Sequence, residues 1–428
     1  MKHYIKVAWL VFIVMTNLSI EAQIKDINQL EKMAQYIGTW YSTNNIEDHK
    51  LSENPTIKMI VVPKINLNNG LQVEVFEKRN NRWETILVEL ISYDKTSGLI
   101  VANGINDKNE SFIGKGQFYE GDKWVMEDKN VLGESIMTVS FQFVNSTEVI
   151  LKGTNPLGEM LWNVKYIKQN PKDKNIGIQL VSVKDEMNEN PEETLIQLGR
   201  MGYSYIETFV YEKGSFYDQS PEQFSAMVEK AGMKFLGSMT FFDPEDKNDD
   251  TAINTWWTKT IQDHKIAGVE YLSTSNSKIK SIKTIKELQD YCNYYNKVGK
   301  LCKDNGLKFI FHNHADEFLM VEGVRVYDYF LQNTDPEYVY FQSDIYWMHV
   351  AGVNPVDYFK NYSNRFISWH VKDYKELGQS GKINFKDIFK YQKLAGAQYI
   401  ISEVEDYSFP PLFSVGLAWE YIYYELLK

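Results

Sequence analysis

The sequence predicts a two-part α/β protein: an antiparallel β-barrel or sandwich followed by a (β/α)8 barrel. Three observations carry this reading. The chain has 428 residues, too many for one ordinary domain and comfortable for two. Its first half is a series of strand-length runs separated only by local turns. After QNPKDKN, Gln169 to Asn175, buried-strand runs instead alternate with long amphipathic helices.

Composition narrows the function classes. The hydrophobic share of 43% and the aromatic share of 14% are enough for sizeable cores. The formal net charge is −11 and there is no long basic run. Nucleic acid and an anionic membrane are therefore excluded as main partners; a neutral sugar is compatible, and self-association into a homo-oligomer is left open.

Residues 1–22 read as a signal peptide. Lys2, His3 and Lys6 precede the apolar run VAWLVFIVM, and the polar stretch TNLSIEAQ brings a small residue to Ala22. The run is too short to span a membrane comfortably, and the bland alternative is a frayed helix. No cysteine near the cleavage point supports a lipid anchor. The expectation is export to a periplasmic or extracellular location, with no stable membrane insertion. Cys292 and Cys302 are ten apart in a helical-looking segment. That spacing is about 15 Å along a helix, too far for a disulfide, so both read as small core or surface residues.

The β half is assigned to residues 23–169. After the amphipathic helix INQLEKMAQYI come GTWYS, TIKMIVVPKI, LQVEVFEK, WETILVELISYD, GLIVANGI, SFIGKGQFYE, KWVMEDK, IMTVSFQFV, EVILKGT and MLWNVKYIK. Turn signals such as NNG, KTSG and EGD separate them. Around eight to ten short strands with local connections suggest a barrel or sandwich. The helix followed by Gly38, Thr39 and Trp40 resembles the opening of lipocalin-like barrels, in which such a tryptophan plugs the floor. This half shows no cluster of His, Cys or acids that looks catalytic.

The α/β half is assigned to residues 170–428. Its strands read as IGIQLV, YSYIETFVY, MKFLGSMTFF, GVEYLST, LKFIFHNH, YVYFQSDIYW, FISWHVKDY and YIISEVEDY, with helices such as ETLIQLGRM, PEQFSAMVEKAG and FKDIFKYQKLAG between them. The AGM, NGL and AGA junctions supply a glycine that ends a helix before the next strand. Eight such units in about 255 residues suit a (β/α)8 barrel; a doubly wound open sheet is the alternative.

Chemistry in such a barrel sits at the C-terminal ends of the strands, and ionisable residues gather there. The second strand ends with Glu207, the fifth with His312 and His314, and the sixth with Asp344. The seventh carries His370 and Lys372, the eighth Glu403 and Glu405. Residues two apart on a strand share a face, so His312 pairs with His314, His370 with Lys372, and Glu403 with Glu405. Imidazole and carboxylate donors together suit one divalent metal ion such as Mn²⁺, Co²⁺, Zn²⁺ or Mg²⁺. Each residue also has an ordinary structural reading: Asp344 as a loop cap, Lys372 and Asp373 as a surface ion pair, a single strand-end His as a hydrogen-bonded group. Four strand ends with the same chemistry favour the metal site.

Over residues 174 to 428 the chain resembles the sugar phosphate isomerase/epimerase superfamily, with its xylose-isomerase-like TIM barrel. The segments that carry the resemblance are IGIQLVSVKDEM, MGYSYIETFVYEKGSFYDQSPEQF, FHNHADEF, SDIYWMHVAGVNP, WHVKDY and SEVEDYSFPPLFSV. The resemblance implies metal ligands at His312, in place of the more usual Glu, and at Asp344, His370 and Glu403. His314, Glu317 and Glu405 are further candidates, and Gln179, Glu207 and Lys372 would line the substrate pocket. The chain departs from the family pattern twice. The fifth strand offers histidine where epimerases use one of two paired glutamates, and the third, SMTFF from Ser238 to Phe242, lacks a histidine common among relatives.

The chemistry expected is proton abstraction beside a carbonyl of a sugar or keto-sugar. A metal polarises the carbonyl and stabilises the enediolate; Glu403, Glu405 or His314 acts as base, and Lys372 neutralises developing charge. Isomerisation, epimerisation and elimination from a 3-keto-glycoside diverge from that species, and the glutamate missing from strand five disfavours simple epimerisation. The competing class is a non-catalytic exported carbohydrate- or metabolite-binding protein on a degenerate barrel.

Overall fold

The computed structural model describes residues 28–64, 70–120, 122–275 and 277–427; the expected signal peptide lies outside them. The chain divides into two compact units between Pro171 and Lys172, within the QNPKDKN stretch.

The first unit is a closed antiparallel barrel, which settles the barrel-or-sandwich alternative. Its strands are β1 (Gly38–Ser42), β2 (Ile57–Lys64), β3 (Gly70–Arg79), β4 (Arg82–Asp94), β5 (Leu99–Asn106), β6 (Ser111–Phe118), β7 (Lys123–Asn130), β8 (Ser135–Asn145), β9 (Glu148–Thr154) and β10 (Met160–Lys168). Each pairs with its sequence neighbour, and β1 closes the ring against β10 through Trp40 and Lys168. Alternation puts Trp40, Val61, Val73, Ile100, Phe118 and Trp124 inside, all fully buried. The helix Gln29–Met33 closes one end: the Gln29 amide donates to Phe118 O at 2.8 Å and accepts from Phe118 N at 2.6 Å. Trp40 Nε1 donates to Tyr36 O at 2.8 Å, which holds the indole in the floor.

The second unit is a closed eight-stranded parallel barrel. Its staves are β11 (Gly177–Gln179), β12 (Tyr205–Thr208), β13 (Lys234–Met239), β14 (Tyr271–Thr274), β15 (Lys308–His312), β18 (Val339–Asp344), β19 (Ser368–Val371) and β20 (Tyr399–Ser402). A small hairpin, β16 (Met320–Val321) with β17 (Val324–Arg325), sits in the connection after β15. β20 pairs with β11 through Ile401 and Gly177, completing the ring. Several helices start at side-chain caps. Ser220 with Gln223, and Thr284 with Glu287, form capping boxes for Pro221–Lys230 and Ile285–Asp304. Gly232, Gly306 and Gly396 adopt φ of 70°, 82° and 83° at the AGM, NGL and AGA junctions, a conformation that favours glycine. Cys292 and Cys302 are both buried and unbridged.

Inside the barrel Tyr205, Leu236, Tyr271, Ile310, Ile367, Tyr399 and Ile401 form a separate packed layer that supports the groups above it. The staves are shorter than their apolar runs suggest, and at three of them the early end bears on the site. YVYFQSDIYW turns into the helix Ile345–Val350 directly after Asp344, because Asp344 Oδ1 accepts Trp347 N at 2.9 Å and caps it. β19 ends at Val371 and β20 at Ser402, so Lys372, Glu403 and Glu405 lie just beyond the staves.

The helix Asp250–Ile266 carries His264, fully buried between the rings of Tyr211 and Phe216. Its Nδ1 donates to Thr260 O at 2.7 Å, while Nε2 has no partner among the described residues. Burial lowers its pKa from 6.5 to about 4. Above pH 6.5 folded and unfolded chains are both neutral there; below it only the unfolded chain gains the proton. Stability is therefore expected to fall as pH drops from 6.5 to 4, by about 3 kcal/mol from this residue. Urea midpoints across that window check it, and His264→Phe, which cannot protonate, is expected to flatten the slope.

Candidate metal centre

β15, β18 and β19 are adjacent staves, and they bring His312, Asp344 and His370 to one point. One donor atom from each lies within 4.8 Å of the others, and all three side chains are buried. His312 Nε2 stands 4.0 Å from Asp344 Oδ2, and the His312 and His370 rings are 4.8 Å apart.

What turns these donors toward a common centre is a carboxylate beneath them. Glu207 is fully buried at the end of β12. Its Oε1 accepts Gln179 Nε2 at 2.6 Å and His370 Nε2 at 2.9 Å. Its Oε2 accepts Tyr271 OH at 2.5 Å and Gln342 Nε2 at 3.0 Å. The Gln342 amide oxygen in turn faces His312 Nδ1 at 2.9 Å. With the amide nitrogen committed to Glu207, that oxygen can only accept, so His312 Nδ1 carries the hydrogen and Nε2 is left bare. The same logic commits His370 Nε2 to Glu207 and directs Nδ1 toward the centre.

One atom of the group is unpartnered: Asp344 Oδ2 is buried and makes no hydrogen bond among the described residues. His370 Nδ1, buried as well, faces Glu403 Oε2 at 2.6 Å. An unsatisfied buried polar atom is costly, and imidazole nitrogens converging with a bare carboxylate oxygen are the donor set a divalent cation takes. The residues fit such an ion.

Electrostatics agree. Burial, with the neighbouring His370 and His314, pushes His312 well below its usual pKa. Burial, with Glu403, raises Asp344 to about 7. His370 goes the other way: burial would lower it, but Glu403 and Glu207 raise it to about 10. A cation held at Nδ1 would have to displace that proton.

The remaining expected residues fall into three positions. Glu403, expected as the fourth ligand, is not in the three-donor group. Its Oε1 accepts Lys372 Nζ at 3.0 Å, and its Oε2 stands 2.6 Å from His370 Nδ1; despite burial, these two basic groups hold it well below the usual carboxylate range. Lys372, buried rather than in a surface pair with Asp373, also meets Glu405 Oε1 at 2.5 Å and lies 5.0 Å over the Trp347 ring. His314 stands beside His312 and Trp347 at the mouth, half-buried.

Gln179 and Glu207, expected to line the substrate pocket, and Glu317, a further candidate there, do not line an open wall. They are 1%, 0% and 0% exposed. Glu207 already accepts four donors, and Glu317 Oε2 accepts His314 N at 2.8 Å, shaping the turn after β15. Gln342 and Tyr271 had no place in the sequence reading, although each lies on the inward face of its strand, Gln342 two residues before Asp344.

Barrel and donor group together define a class: a (β/α)8 protein with a buried His/Asp/His group, which could hold a metal ion, at the C-terminal ends of its staves. Residues 197–423, more than half of the chain, match the family model described as Xylose isomerase-like TIM barrel, and the chain belongs to that family. Curated relatives include inosose dehydratases. That of Clostridium tetani is 28% identical over 124 residues, 28% of this chain and 39% of the relative. That of Clostridium botulinum is 30% identical over 120 residues, again 28% and 39%. The chain thus aligns with about two fifths of the length of these relatives. Two crystal structures, each of a sugar phosphate isomerase/epimerase from Parabacteroides distasonis, are similar throughout the second unit. One is 25% identical with a TM-score of 0.56, covering 60% of this chain and 96% of that one; the other is 29% identical with a TM-score of 0.54, covering 60% and 100%.

Proposed function

We propose that this protein is an enzyme that removes a proton beside the carbonyl of a sugar or keto-sugar, with one divalent cation held by His312 Nε2, Asp344 Oδ2 and His370 Nδ1. The convergence of these three buried donors, with Asp344 Oδ2 left unpartnered among the described residues, carries the reading. Glu403 Oε2, against the same Nδ1, is the fourth donor within reach.

When bound, the cation supplies Lewis acidity that polarises the substrate carbonyl and favours loss of the neighbouring proton. The chain's own groups do the rest. His314 follows β15 and Glu405 follows β20, the two staves that flank β18 and β19. They act from either side of the donor group as proton acceptor and donor. Lys372, between them, neutralises negative charge that develops on oxygen. Trp347 and Tyr346, at 5.0 and 5.4 Å from the ammonium, cover this side of the mouth and keep water from it.

The dehydratase relatives favour elimination of a hydroxyl after proton removal over simple epimerisation, which agrees with histidine standing on the fifth strand. The N-terminal pattern supports export, so the substrate is a free sugar, a glycoside or a 3-keto-glycoside met outside the cytoplasm. Among the described residues no helix is long and apolar enough to cross a membrane. The test is incubation of Mn²⁺- or Zn²⁺-loaded protein with a panel of keto-sugars in D₂O. Deuterium at the carbon beside the carbonyl, or loss of water from the substrate, is expected. Neither exchange nor elimination across the panel overturns the proposal.

A further inference from the structure

The ten-stranded barrel carries chemistry that the proposed reaction does not use. Its interior face holds Val73, Ile91, Ala102, Phe118, Trp124 and Met126, all buried. Alternation puts two acids on that same face. Glu89 is two residues from Ile91 and opposite Val73, and Asp128 is two residues from Met126 and opposite Gly114. Asp128 is 4% exposed, and its Oδ1 has no hydrogen-bond partner among the described residues. Burial, with Asp128 nearby, raises the Glu89 carboxyl to about 8, and burial raises Asp128 to about 7; no cation offsets either.

Glycines leave room on the wall beside these acids. A Cβ on Gly114 would crowd Met126 Cε and stand 2.5 Å from Asp128 Oδ1, and one on Gly104 would meet the Phe112 ring first and stand 3.0 Å from Glu89 Cγ. Glycine inside a strand marks close approach of this kind.

Burial also changes along the interior. At the end closed by the helix the aromatic floor is tight, with the Trp124 and Phe141 rings stacked 4.4 Å apart. Toward the opposite end the inward-facing Leu87, Val139 and Val164 are only partly buried, so water reaches apolar wall. The β5–β6, β7–β8 and β9–β10 hairpins turn at this open end, and all three use one device. An asparagine Oδ1 (Asn106, Asn130 or Asn155) accepts the backbone N–H of the glutamate four residues on, while its Nδ2 donates to that glutamate's carboxylate. Two of the tips carry leucine, Leu132 at 81% and Leu157 at 85% exposure.

We infer that the open end of this barrel binds an amphipathic molecule with an apolar body and a protonated amine. The body lies along Leu87, Val139 and Val164, and the ammonium reaches Asp128 and Glu89. A neutral or anionic head would leave Asp128 Oδ1 without a counter-charge, whereas an ammonium gives both acids the cation they lack and restores their ionised forms. The inference is independent of the metal centre.

The experiment titrates the full-length protein with octylamine, octanol and octanoate by calorimetry. Octylamine is expected to bind at least about tenfold more tightly than the other two. The double variant Glu89→Gln/Asp128→Asn is expected to lose that preference, with near-UV circular dichroism reporting that it remains folded. Val139→Trp, which fills the lumen, is expected to abolish binding of all three. Equal affinity for the three probes, absence of octylamine binding, or octylamine affinity retained in either variant overturns the assignment.

Discussion

Asp344→Asn is expected to abolish tight divalent-cation binding while leaving the fold in place. The two oxygens of Asp344 have separate tasks. Oδ1 caps the helix Ile345–Val350 through Trp347 N, and an asparagine oxygen performs that task as well. Oδ2 is the buried, unpartnered atom directed at the centre, and asparagine replaces it with an N–H donor that repels a cation. Changes to groups that merely support a ligand cost roughly 10- to 100-fold in metal affinity; loss of the ligand itself is expected to exceed about 100-fold. Titration with Mn²⁺ or Zn²⁺ measures the loss, and deuterium exchange into a responsive keto-sugar should vanish in parallel. Thermal unfolding of the cation-free protein should change little. Wild-type affinity in this variant would remove Asp344 from the ligand set.

Glu207→Gln tests the support rather than the ligands. Glu207 accepts from Gln179, His370, Tyr271 and Gln342 in full burial. A glutamine places an NH₂ against donors, so at least one pair becomes donor to donor. A buried mismatch of this kind costs about 1–3 kcal/mol, readable as a lower urea midpoint. The larger consequence is at the imidazoles. With the carboxylate gone, His370 can turn its hydrogen to Nδ1, and Gln342 can flip and present its NH₂ to His312 Nδ1. Metal affinity is expected to fall roughly 10- to 100-fold. Tyr271→Phe, which removes a single donor and leaves the carboxylate, should produce a smaller loss. Reduced stability with unchanged metal affinity would show that Glu207 holds the barrel together without orienting the ligands.

The contrast between these variants shows why the site was only partly readable beforehand. His312, Asp344 and His370 announce themselves because ionisable residues at the ends of apolar runs are locally visible. Glu207 and Gln179 carry the same signal, yet they serve a different purpose. Whether a buried carboxylate meets a substrate or its own neighbours depends on which donors fill its four acceptor positions. Here those donors come from β11, β14, β18 and β19, and strand spacing within any one segment does not register them. Glu403 illustrates the same limit. The resemblance pointed to it as a ligand, but its contacts are set by His370 on the neighbouring stave and by Lys372 just past that stave's end.

The chain's own order of residues determined the periodicities: two in the first unit and alternating two and 3.6 in the second, together with the caps and glycines that end the helices. These are short-range properties, because each depends on side chains a few positions apart. Tertiary structure alone decided that β1 meets β10 so that the first sheet closes, that Asp128 and Glu89 look into its lumen without a counter-ion, and that one carboxylate sets the orientation of two imidazoles. Each of these depends on contacts between segments far apart in the chain, where burial, by excluding water, makes the identity of every hydrogen-bond partner count.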